Sequence, residues 1–162
     1  LTGNPKVQQQ QTQDTAHSGP DSPAWEIAGT LTEGGVDTHL FACFHYPQAV
    51  DMSGAACLAL ESWAPAGQRT TAELLVILRD EDGGDYLANT GCFLGVAGRH
   101  EVFVPLSAFR AAGWSKDPDG TLDLAAIREV RVGWGGYFGR TGERLTFSLS
   151  LPRVGRVQQA AD

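Results

Sequence analysis

Four histidines, two dense acidic turns and three cysteines are the groups in this 162-residue chain with the means to do chemistry. His39 and His45 share a strand face but lie six residues apart, roughly 20 Å along an extended strand, so they do not hold one metal ion together. His17 falls in a polar stretch and His100 stands alone. Asp80-Glu81-Asp82-Gly83-Gly84-Asp85 is the densest carboxylate cluster, and Asp117-Pro118-Asp119-Gly120-Thr121-Leu122-Asp123 is the second. Glycosidic hydrolysis uses paired acids, but Asp-Gly and Gly-Gly are hairpin chemistry, and both segments read as solvated turns. Neither has the ligand spacing of an EF-hand. No Gly-x-Ser-x-Gly elbow or phosphate-binding loop is present. In Gly133-Trp134-Gly135-Gly136-Tyr137-Phe138-Gly139, Phe138 stands where a dinucleotide motif needs its last glycine. That stretch lies between two strands and reads as a bend or bulge with exposed aromatics. Cys43, Cys57 and Cys92 are an odd set without CxxC spacing. They read as small buried apolar residues, with one bridge plus a free thiol as the alternative.

The elements that would carry these groups are strands. Thr38–Tyr46, Ala55–Ser62, Thr71–Asp80, His100–Leu106, Glu129–Gly135 and Arg144–Leu151 are short alternating runs bounded by Gly, Pro, Asp or Asn, and Trp25–Leu31 is a weaker first strand. Helical hints are confined to Ser107–Ala112 and Leu124–Ile127. Many strands without alternating helices predict an all-β sandwich or barrel. Parity places Leu74, Val76 and Leu78, then Val130, Val132 and Trp134, then Leu145, Phe147, Leu149 and Leu151 on a core face. The opposite face mixes Glu73, Arg79, Glu129 and Arg131 with apolar neighbours, as a solvated sheet face or a shallow groove would. Residues 1–22, with four consecutive glutamines and a Ser/Gly/Pro-rich end, read as a disordered linker. The domain is then 23–155, and 156–162 reads as a flexible tail. A net charge of −7 works against nucleic-acid backbone and anionic lipid as partners, and no apolar run approaches a membrane span.

The second half of the chain carries a recognisable layout. After the acidic turn come Gly98-Arg99-His100-Glu101-Val102-Phe103-Val104-Pro105-Leu106-Ser107-Ala108-Phe109, then Gly113-Trp114. Asp119-Gly120-Thr121-Leu122-Asp123-Leu124 and Ile127-Arg128-Glu129-Val130-Arg131-Val132-Gly133-Trp134-Gly135-Gly136 follow. This resembles the galactose-binding-like jelly rolls that serve as carbohydrate-binding modules beside glycoside hydrolases and polysaccharide lyases. The motif covers residues 71–151 and the architecture 25–154.

The resemblance implies a jelly-roll β-sandwich of two antiparallel sheets and a secreted or extracytoplasmic, non-catalytic module. Such a module tethers a linked carbohydrate-active enzyme to a polysaccharide, here a neutral β-glycan. The alternative is a structural jelly roll that packs on a catalytic domain without its own glycan. Sugars stack on aromatic rings and hydrogen-bond polar groups. The candidate stackers are Tyr46, Trp63, Tyr86, Trp114, Trp134 and Tyr137, with Trp134 assigned to the core by parity. The site expected from these and their polar partners is Trp63, Tyr86, Arg79, Asp85, Arg131, His45, Tyr46 and Tyr137. No cofactor is required. Relatives carry a structural calcium, for which Glu26 is the candidate ligand, although Phe147-Ser148-Leu149-Ser150-Leu151-Pro152 lacks the carboxylate that often ends their last strand.

Overall fold

Period-2 alternation between turn residues builds twelve strands, numbered in chain order, and one 3-10 turn in the computed structural model, which describes residues 1–156. One antiparallel sheet runs β1 (Thr2–Gly3), β4 (Thr38–Val50), β10 (Ile127–Tyr137), β6 (Glu73–Asp80), β7 (Asp85–Phe93), β9 (Arg110–Ala111). The other runs β12 (Arg153–Gly155), β5 (Cys57–Ala64), β11 (Arg144–Ser150), β3 (Ala24–Leu31), β2 (Val7–Gln13), with β8 (Gly98–Pro105) joined through β5. The fold is therefore a β-sandwich of two antiparallel sheets.

The core lies between them. Leu74, Val76 and Leu78 of β6, Val130, Val132 and Trp134 of β10, and Leu145, Phe147 and Leu149 of β11 are all fully buried, as parity predicts. Trp134 meets Phe147 edge-on at 6.0 Å between ring centroids. It reaches across to β3, where a Cβ on Gly29 would lie 2.6 Å from its ring. Gly29 is thus the space that admits the largest core side chain. Phe109 and Ile127 are buried, and Leu122 and Leu124 pack partly buried on the core, so that they close its end as a small apolar lid.

The structure departs from the sequence expectation in three places. First, residues 1–22 are not a free linker as far as they form strands. β2 pairs with β3 residue for residue from Val7↔Leu31 to Gln13↔Trp25, and β1 pairs with β4. Of β2 only Val7 is buried, so the ladder hydrogen bonds, rather than apolar burial, offset its ordering entropy. Asp14 then ties the following turn down: its N–H donates to Ala24 O at 2.9 Å and its carboxylate accepts from Ser148 Oγ. Second, β7 forms between the acidic turn and His100, where no strand was expected. Third, Leu124–Ile127 is a turn leading into β10, and the helical hint at Ser107–Ala112 reduces to a 3-10 turn at Leu106–Ala108 followed by β9. The tail expected at 156–162 lies, beyond Arg156, outside the described residues.

Candidate functional site

Strand pairing lines up side chains from four strands on the outer face of the first sheet. His45 of β4, Glu129 of β10, Arg79 of β6 and Asp85 of β7 stand opposite one another in a single row. The next row is Cys43, Arg131, Ile77 and Leu87, and the next is Phe41, Gly133, Leu75 and Asn89. A polar row therefore borders an apolar floor. Gly133, and Gly135 beyond it, place no side chain on that floor.

Trp114 forms a wall. Its Nε1 donates to Asp85 Oδ2 at 3.0 Å, and its ring is 54% exposed. Its loop is fixed at both ends of the same residue: Ala112 N donates to Asp85 O at 2.9 Å, and Asp85 N donates to Ser115 Oγ at 3.0 Å. Together with Phe41, Leu75, Ile77, Leu87 and Arg131, Trp114 encloses a groove of about 560 Å3 that opens past His39 and Asp37.

The polar row is charge-balanced. Arg79 donates from Nε and Nη2 to the two Asp85 oxygens at 2.8 and 2.9 Å, a bidentate pair. Burial pushes the Asp85 carboxyl up, but the hydrogen bond and charge of Arg79 outweigh it and hold the group below its ordinary value. Buried Glu129 accepts from Arg131 Nε, and its other oxygen lies 2.6 Å from His45 Nδ1. Both carboxylates are thus committed to cationic partners, and the row offers oriented donors and acceptors. Cys43, half-buried beside it, has its thiol pushed up by burial and then by Glu129.

The structure divides the expected site. Arg79, Asp85, Arg131 and His45 come together on this face. Tyr86 does not join them: it points inward, is 3% exposed, and donates its hydroxyl to Asp117. Burial, then that bond, push its phenol well above the usual range. A ring so enclosed has no face to offer a ligand. Tyr46 packs against the core from the inner side, with its phenol raised by burial. Trp63 sits on the outer face of the second sheet, where His17 stacks on it at 4.6 Å. Tyr137, partly buried, lies past the bulge at the end of β10 and donates to Glu143 Oε1 at 2.7 Å. Glu26 lies on β3 between Thr12 and Ser148, and among the described residues no three His, Cys, Asp or Glu are grouped to hold a metal. The acidic turns are less solvated than expected. Asp80 is 2% exposed and ties them together, accepting from Gly84 N and Asp123 N at 2.9 and 3.2 Å. The three cysteines are half-buried free thiols.

Trp114, Phe41, Leu87 and Glu129 complete the groove and were not in the expected set, Trp114 having been only a candidate stacker. The signal for Phe41 was the alternation His39, Phe41, Cys43, His45 on one strand face. Leu87 was hidden with its strand.

The chain matches no protein-family profile and no curated protein sequence. Solved structures do match. One is the family 11 carbohydrate-binding module of the cellulosomal cellulase Lic26A-Cel5E of Clostridium thermocellum, with a TM-score of 0.70, 12% identity, and coverage of 99% of this chain and 89% of that one. The chain has the fold of a carbohydrate-binding module. A family 11 module from Clostridium thermocellum in complex with a beta-1,3-1,4-mixed-linked tetrasaccharide gives a TM-score of 0.69 at 14% identity, covering 98% of this chain and 89% of that one. The family 30 carbohydrate-binding module of a Clostridium thermocellum cellulosomal cellulase gives 0.61 at 10% identity, covering 95% and 88%.

Proposed function

We propose that this chain is a non-catalytic module that holds a polysaccharide, a neutral β-glycan, in the groove of its first sheet and so tethers a linked, secreted carbohydrate-active enzyme to its substrate. The observation that carries the reading is the Trp114 ring, exposed yet pinned by Asp85 over an apolar floor beside a row of fixed polar groups. A sugar ring presents C–H faces to Trp114 and Phe41, and hydroxyls to Arg79, Asp85, Arg131 and His45. The mixed-linked glucan bound by a module of the same fold supports a β-glucan as the first ligand to try. No cofactor is needed for this binding, and tethering raises the local concentration of the attached enzyme at the polymer.

Native affinity electrophoresis tests it, with gels containing mixed-linked β-glucan, other neutral glycans or acidic glycans, each run with and without a calcium chelator. Retardation by a neutral β-glycan, lost in Trp114→Ala, is the expected result. Migration unchanged by every polymer overturns the groove reading. It favours a face that packs on an adjoining domain, for which Phe103 of β8, 59% exposed beside Ala59 of β5, is the observation.

A further inference from the structure

The outer face continues beyond the bulge in β10. Leu75, Gly135 and Gly136 of the groove also line a smaller hollow with Phe93, Tyr137 and Phe138. These three aromatics in turn line a cleft of about 690 Å3 at that end of the sandwich. The segment joining β5 to β6, the turn joining β7 to β8 and the hairpin joining β10 to β11 build it.

The cleft is held in shape by its own bonds. Gln68 Nε2 donates to Leu94 O and Thr146 O at 2.8 and 3.0 Å, and its Oε1 accepts from Thr146 N at 2.8 Å. Gly95 packs so tightly on the neighbouring segment that a Cβ there would lie 2.4 Å from Thr70 O. Glu143 accepts from Tyr137 Oη at 2.7 Å and from Arg140 N at 3.0 Å, so its carboxylate is used within the hairpin.

Two features remain unspent. Phe138 and Phe93 are 64% and 44% exposed, apolar surface that a folded chain ordinarily covers unless it meets a ligand. Arg69 and Arg140 line the same cleft, and among the described residues neither has an ion-pair partner. Their two charges outnumber the single carboxylate of Glu143 in the lining, so in a chain of net charge −7 the cleft keeps a cationic excess between aromatic walls.

We propose that this end cleft is a second glycan site, selective for an acid-bearing sugar, a uronate residue. The pyranose face rests on a phenylalanine ring, and the carboxylate takes the guanidinium fork. A neutral sugar would gain only from the rings, and a simple acidic peptide only from the arginines. The cleft therefore differs in selectivity from the groove, and the proposal stands whether or not the groove binds neutral glycan.

Two-dimensional amide NMR titration with trigalacturonate, beside its carboxyl-reduced trimer, tests this. In the wild type and in Trp114→Ala, the acidic trimer is expected to shift amides around Phe93, Phe138 and Arg140, and to bind at least tenfold more tightly than the reduced trimer. The Arg69→Ala/Arg140→Ala double variant is expected to lose that preference, and Phe138→Ala to weaken both trimers. The altered side chains are exposed, and the unchanged remainder of each spectrum confirms folding. The proposal is overturned by no shifts, by shifts confined to the groove around Arg79 and Arg131, or by a preference that survives loss of both Arg69 and Arg140. Loss of β-glucan retardation in Trp114→Ala reads the groove separately.

Discussion

Asp85 holds three partners at once: the Arg79 fork, the Trp114 indole and, through its backbone, the loop that carries Trp114. Because Arg79 keeps its carboxyl below the ordinary value against the push of burial, the unfolded chain takes up the proton first as pH falls. Its stabilisation is therefore present above about pH 4 and is lost as pH drops through the folded value. Asp85→Asn is expected to lower stability at pH 7 by about 2 kcal/mol, and to flatten the loss of stability between pH 5 and 3. Urea denaturation across that range measures both. Trp114→Ala costs less, about 1 kcal/mol, since the side chain is half-exposed and only its indole N–H is lost from the Asp85 carboxylate, while removing glycan retardation. At this scale parity told which residues of β6, β10 and β11 face inward, Trp134 among them. It failed for Leu151, which lies past the end of β11 and is 45% exposed. The placing of Tyr86 in the groove failed because its hydroxyl is satisfied by Asp117, 31 residues away; such a partner leaves no mark in local sequence. Trp63 misled for a similar reason, since nothing local shows which of two sheets a strand joins.

At the scale of elements, the site depends on how closely β4 and β10 approach. A Cβ on Gly133 would lie 1.9 Å from Leu40 O, a backbone atom that has no rotamer to yield. Gly133→Ala is expected to cost about 3 kcal/mol and to lower the thermal midpoint, with the groove widened between its two central strands. The central strands were legible because they alternate cleanly between Gly, Pro and Asp boundaries. β7 was not, because Asn89, Thr90 and Gly91 carry turn chemistry: Asn89 pairs with Leu75, while Thr90 and Gly91 fall in the register shift before Phe93 pairs with Glu73. β2 was not, because glutamine composition reports poor burial and says nothing of the backbone bonds that seat it on β3. Deleting residues 1–13 is expected to open the β3 ladder, so that amides of Glu26, Ala28 and Thr30, which face β2, exchange faster with deuterium than in the full chain.

Across the whole molecule, the jelly-roll layout was readable from the spacing of motifs in its second half, and the ligand face was not. That face exists only once four strands from distant parts of the chain are set in register. The same architecture leaves β2 at the end of its sheet, with one row of backbone groups unpaired by any strand among the described residues. From Val7 to Gln13 it has no charge, no proline and no bulge, the features by which sheet edges normally repel one another. Its amide side chains would stack in register if two such edges met. Concentrated protein is therefore expected to dimerise edge to edge, with a sedimentation coefficient that rises from the monomer to the dimer value as concentration grows. Gln10→Glu, which sets a charge mid-strand, is expected to keep it monomeric. A matrix-bound array of these modules would then become cross-linked in pairs as its surface density grew.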